Sequence, residues 1–127
     1  MKLDFDSTRL PSPFYTEVHT QWREWTVRPF VDKEIIPYVD EWEEQGDLPD
    51  ELWQKAAKAG LFQIGYPEKY GGVSEGVDIF HILITIEELA RCGAGGVYAS
   101  LMVQGIGLPP VVNFGSESMK KTVVPSV

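Results

Sequence analysis

The residues able to do chemistry are few. Histidine occurs at His19 and His81 and cysteine only at Cys92. Two histidines so far apart in sequence, with one thiol, give no spacing typical of a metal site, so a structural role is expected for each and no metal is expected. Glu87 and Glu88 are paired carboxylates, but neighbours on a helix point about 100° apart and do not easily serve one substrate atom. A solvated edge, or pairing with Arg91 one turn on, is the expectation. Arg91 beside Cys92 could lower the thiol pKa, yet no histidine is placed to complete a nucleophile. Gly93-Ala94-Gly95-Gly96 before a helix has the outline of a phosphate loop but lacks the preceding strand and the lysine-serine/threonine pair.

One further pattern concerns binding. Tyr98, Met102 and Ile106 fall at i, i+4 and i+8 of an apolar helix, a line about 12 Å long at helical rise. The pattern suits core packing first and the wall of a channel for an apolar chain second.

These residues must be positioned by helices. Ser12-Pro13 offers an N-cap followed by proline at the first helical position, so a helix is expected from there after an extended lead over 1–12. Val27, Val31, Ile35, Tyr38 and Trp42 recur at helical intervals and define one face, acids fill the others, and Pro29 and Pro37 predict kinks or breaks before Gly46 ends the helix. A second helix over 49–59 has acids in its first turn and lysines later, suiting the helix dipole, and Gly60 sits where a left-handed terminus is common. Pro67 and Gly71-Gly72 then make a tight turn.

Asp78 is a plausible N-cap for Ile79 to Arg91, whose apolar residues lie nearly all round and predict a central helix covered on most sides. Val97 to about Ile106 follows, Pro109-Pro110 can open a short further helix, and Ser116 caps the next. No alternating run reads as a strand, so the fold class is all-α, a bundle of five or six helices, with residues 13–127 as one domain.

Composition bounds the partners. Nineteen acids against 11 bases give a formal charge of −8, which disfavours nucleic acid or an anionic membrane surface. The longest apolar stretch, Ile79 to Ile86, is far short of the ~20 residues that span a bilayer. The early acids are unlike a targeting segment, and a single cysteine fits a reducing compartment, so a cytoplasmic protein is expected.

Four segments together carry a resemblance: Arg28 to Pro37; Leu61 to Gly72, ending Pro-Glu-Lys-Tyr-Gly-Gly; Glu87-Glu88-Leu89-Ala90-Arg91; and Gly115-Ser116-Glu117 followed by Lys120-Lys121. In order and spacing they resemble the N-terminal helical domain of the acyl-CoA dehydrogenase family, over nearly the whole chain after residue 12. The resemblance implies an FAD enzyme that removes hydrogens from the α and β carbons of an acyl-CoA thioester. It would pass electrons to electron-transfer flavoprotein or another acceptor and work as a homo-oligomer, a tetramer or dimer. It also implies that the flavin-binding segments and the catalytic glutamate lie beyond Val127, so no catalytic residue carries over and this chain alone is expected to be inactive. What carries over is an acyl-pocket wall: Tyr98, Met102 and Ile106, with Leu101 and Gly105 nearby. A flavin oxidase or monooxygenase of the same superfamily and, from another class, a freestanding helical interaction module are the alternatives.

Overall fold

The computed structural model describes residues 12–126; the expected extended lead over 1–12 lies almost wholly outside them. Helix α1 runs as one rod over 17–35, and it starts at Glu17 behind Thr16 rather than at Pro13. Ser12 instead organises a turn, its hydroxyl accepting from the Phe14 amide. Two wide π-helical turns, Trp22–Val27 and Val31–Ile35, lie in this rod, each just ahead of a proline. A proline ring collides with the carbonyl four residues back in a regular α-turn, and a widened turn relieves that contact. The rod therefore passes through Pro29 without a break, and it ends only before Pro37.

The turn at 36–38 resets the helical phase. Helix α2, Val39–Gln45, buries Val39 beside Val27, Val31 and Ile35, while Tyr38, expected on that face, is exposed. Gly46 closes α2 in the left-handed region at φ 71°. Helix α3, Asp50–Lys58, buries Leu52 and Ala56. It ends with Gly60 N–H donating to the Ala57 carbonyl and Leu61 N–H to the Ala56 carbonyl, and Gly60 at φ 84° permits the reversal.

Helix α4, Ile79–Ala90, begins at Asp78, whose carboxylate accepts from the amides of Phe80 and His81. Its buried stripe is not the apolar wrap the sequence suggested. His81, Ile84, Thr85, Glu88 and Leu89 face inward, while Ile79 and Leu83 are exposed. The polar residues can turn inward because α1 supplies partners: Trp22 Nε1 donates to Thr85 at 3.0 Å, and Arg23 meets Glu88.

Helix α5, Gly95–Leu101, stops at Met102 (φ −106°, ψ 11°), and α6, Gln104–Phe114, follows. Pro109 and Pro110 lie inside α6 rather than opening a helix of their own. Helix α7, Glu117–Val123, is capped by Ser116 as expected. Taken together, Gly95–Phe114 is 20 residues, with a mean hydropathy of 1.2 over its most apolar 18, longer than the apolar run singled out from sequence and enough by length and composition alone to cross a membrane. The turn at Met102 and Val103 interrupts it, and Val97, Leu101 and Leu108 are buried against the protein. One hydrophobic core gathers Val27, Ile35, Leu52, Phe62, Leu89 and Leu101, and a smaller one joins Tyr70, Leu108 and Val124. Among the described residues there is no strand, only a lone parallel bridge between Ile64 and Val73.

Candidate acyl-chain groove

The glycine-proline turn follows directly on the segment 61–66 that forms one rim of a groove. Pro67 leads into a short 3-10 turn, Glu68–Tyr70, and Gly71 reverses the chain at φ 92°. Gly72 then passes so close to Tyr66 that a Cβ there would lie 2.2 Å from the Tyr66 carbonyl oxygen, which only glycine avoids. The turn is also tied to α7. Tyr70 donates its hydroxyl to Glu117 Oε2 at 2.9 Å, and Lys69 Nζ lies 3.3 Å from the same atom. The Tyr70 hydroxyl first, and then Lys69, hold the Glu117 carboxyl below the usual range. Two segments that sequence could match only by order are thus joined in space.

Between the segment 61–66 that precedes this turn, α4 and α6 lies an open groove of about 290 Å³, lined by Leu61, Ile64, Tyr66, Ile82, Met102, Gly105, Pro109 and Val112, with Gly65, Gln104 and Asn113. Tyr66 reaches across it, its hydroxyl donating to the Gln104 carbonyl at 3.3 Å, and burial pushes this phenol up from its ordinary pKa. The volume is at the lower end of the ~300–1,000 Å³ of ligand sites.

The five residues assigned to a pocket wall from sequence divide here. Met102 and Gly105 line the groove, Tyr98 lines a separate hollow with Ile86 and Ala90, and Leu101 is buried in the core. Ile106 is 81% exposed, and the turn at Met102 takes it off the line expected for a single helix. Periodicity gave no sign of Leu61, Ile64, Tyr66, Ile82 or Pro109, because they come from other elements.

Away from the groove lining, α1 and α4 are locked together by charge. Glu88, expected at a solvated edge, is fully buried. It receives Arg23 Nη1 at 2.7 Å, Arg28 Nη2 at 2.9 Å and Arg91 Nη1 at 3.0 Å, so the pairing with Arg91 holds while the edge does not. Arg23 also reaches Glu87, which accepts from the Tyr15 hydroxyl at 2.9 Å; burial first and this carboxylate next push the Tyr15 phenol up. Cys92 is sealed in the core with Sγ 3.7 Å from the Ala94 carbonyl, and burial raises its pKa, leaving a neutral, structural thiol. His19 and His81 meet at Asp78, with ring centroids 4.5 Å apart, a contact that spacing gave no means of finding.

The fold is a helical bundle that carries a half-open apolar groove, in a chain of net charge −8. Residues 16–127 match the family model for the acyl-CoA dehydrogenase N-terminal domain, and the chain belongs to that family. It is 36% identical over 113 residues to the mitochondrial long-chain specific acyl-CoA dehydrogenase of Rattus norvegicus, covering 89% of this chain and 25% of that protein. It is 35% identical over 102 residues to an acyl-CoA dehydrogenase of Bacillus subtilis, covering 80% of this chain and 26% of the relative. Among solved structures it superposes on an acyl-CoA dehydrogenase from Geobacillus kaustophilus with a TM-score of 0.81 at 26% identity, covering 91% of this chain and 30% of the other. Butyryl-CoA dehydrogenase from Megasphaera elsdenii gives 0.77 at 25% identity, over 97% and 30%. The chain thus spans about a quarter of the length of the curated relatives it matches.

Proposed function

We propose that this chain is the N-terminal domain of an FAD-dependent acyl-CoA dehydrogenase and that it forms one wall of the cavity for the acyl chain. The observation that carries this reading is the apolar groove, open to solvent, with Met102 and Gly105 in its lining. Its lining offers contact area and few charges, which suits a hydrocarbon chain rather than the coenzyme's phosphates. The net charge of −8 points the same way, because phosphate recognition wants arginine and lysine. The described arginines Arg23, Arg28 and Arg91 are engaged with acids.

The residues present do not make a flavin site. Gly93-Ala94-Gly95-Gly96 leads into α5, a helix of only 7 residues, and the nearest arginine in sequence, Arg91, is committed to Glu88 and Asp32. FAD is therefore assigned to parts of the intact protein outside this chain, as is the base that removes the α proton. The domain's own work is to bind and orient the substrate tail and exclude water from it.

Exposed apolar side chains on α4 and α6, with Phe114 at 89%, favour a domain packed against other protein, in the same subunit or a homo-oligomer, over a freestanding module. Electron-transfer flavoprotein is the proposed acceptor by family likeness, and a reducing compartment such as the cytosol suits the free thiol of Cys92. The test is to purify the intact protein and assay it with acyl-CoA thioesters. A yellow protein that reduces an artificial acceptor on adding acyl-CoA supports dehydrogenation. Reduction of dioxygen instead would assign an oxidase or monooxygenase, and a colourless, stable monomer would remove the enzyme reading.

A further inference from the structure

His19 in α1 and His81 in the first turn of α4 converge on one carboxylate. His19 Nε2 lies 2.9 Å and His81 Nδ1 3.0 Å from Asp78 Oδ1, and the three donor atoms fall within 4.8 Å of one another. Both imidazoles are buried while Asp78 is half exposed, so the cluster has walls and an entrance. A tetrahedral ion holding nitrogen and oxygen at about 2.0–2.1 Å keeps its ligands about 3.3 Å apart. The two histidine-aspartate separations are already close to that value.

The tautomers must also allow binding. The Thr16 amide donates to His19 Nδ1 at 2.9 Å, so Nε2 carries the proton and donates it to Asp78. To ligate through Nε2, His19 has to move its proton to Nδ1, where the Thr16 hydroxyl stands 3.0 Å away and can accept it. Thr16 is exposed, so water can take over its amide. The cost is two backbone hydrogen bonds at exposed residues, that of the Thr16 amide and that of the Asp78 amide, which donates to His81 Nδ1 at 3.3 Å. In return the ring gains the outward N–H bond that metal-binding histidines usually make.

We propose that His19, Asp78 and His81 bind one late first-row divalent cation of the zinc class, fastening α1 to the N-terminal turn of α4. Two imidazoles and a carboxylate suit zinc, cobalt or nickel and not magnesium or calcium. The chemistry is a clamp, with solvent completing the coordination on the Asp78 side.

The test uses the untagged intact protein, stripped with chelator and titrated with zinc chloride by calorimetry and with cobalt chloride by visible absorption. A saturable site with tetrahedral cobalt bands and a zinc-raised melting temperature is expected, with magnesium chloride inert. His19→Ala and His81→Ala should each weaken that site at least tenfold. Asp78→Asn keeps the N-cap, so it folds even if the histidine variants do not, and it should also weaken the site about tenfold. Absence of a saturable site, or one of equal strength in Asp78→Asn, overturns the proposal.

Discussion

Arg23 Nη1 lies 2.7 Å from Glu88 Oε1 across 65 residues of sequence, and both side chains are withdrawn from solvent. Three arginines converge on this one carboxylate, so its removal strands several buried donors. Breaking a buried pair from one side costs about 3–5 kcal/mol, since the remaining charge stays desolvated. Glu88→Gln should lower stability by that amount in urea denaturation, while Glu24→Gln, whose pair with Arg28 is at the surface, should cost under about 1 kcal/mol. Equal losses for the two would show that the hub is not what joins α1 to α4.

Gly72 and Gly95 give opposite expectations. A methyl at Gly72 meets the Tyr66 carbonyl at 2.2 Å, so Gly72→Ala should destabilise by more than about 1 kcal/mol. Gly95 opens α5 with nothing within 4 Å, and Gly95→Ala should be neutral or stabilising by up to about 1 kcal/mol. Melting temperatures of the pair decide it: a tolerated alanine at 72 contradicts the close approach.

Tyr70→Phe tests the strut between the turn and α7. The lost hydrogen bond is to a carboxylate, but Glu117 is largely exposed, so solvent screening keeps the loss of stability small. Denaturation with Glu117→Gln in a double-mutant cycle should show the two substitutions coupled; strict additivity would count against the strut.

Asp78 sets a pH window. Desolvation raises its pKa, but hydrogen bonds from His19, His81 and the Phe80 amide outweigh it and bring the folded value to about 2, against 3.8 in a free side chain. A depressed carboxylate stabilises the fold above its unfolded pKa, and that contribution is lost as pH falls from about 4 toward about 2. Glu117 and Glu34, also depressed, act in the same direction. The difference in melting temperature between wild type and Asp78→Asn should therefore shrink across that interval; a constant difference would show that the Asp78 charge is not involved.

Local signals were legible where one element sufficed. Asp78, Ser116, Gly46 and Gly60 mark helix ends by capping chemistry and left-handed backbone, and each stands where the sequence put it. What sequence missed depends on contacts between elements. Glu88 looks like a surface acid until α1 brings arginines to it, and Tyr38 loses its place to Val39 because the turn at Pro37 resets the phase. The line Tyr98, Met102 and Ile106 assumed an unbroken helix, and the turn at Met102 divides it. The groove itself needs Tyr66 and Ile82 from two other elements, which no periodicity within one helix could select.

The central claim is that the groove at Met102 takes the end of an acyl chain, and the direct test is the acyl-CoA chain-length profile of the intact protein against that of Met102→Trp. The indole fills space beside Gly105 and Ile82, so the optimum should move to shorter chains, with kcat/KM for the longest accepted substrates falling at least tenfold and that for short ones nearly unchanged. An identical profile in a folded, flavin-loaded variant would contradict it and take Met102 out of the substrate site.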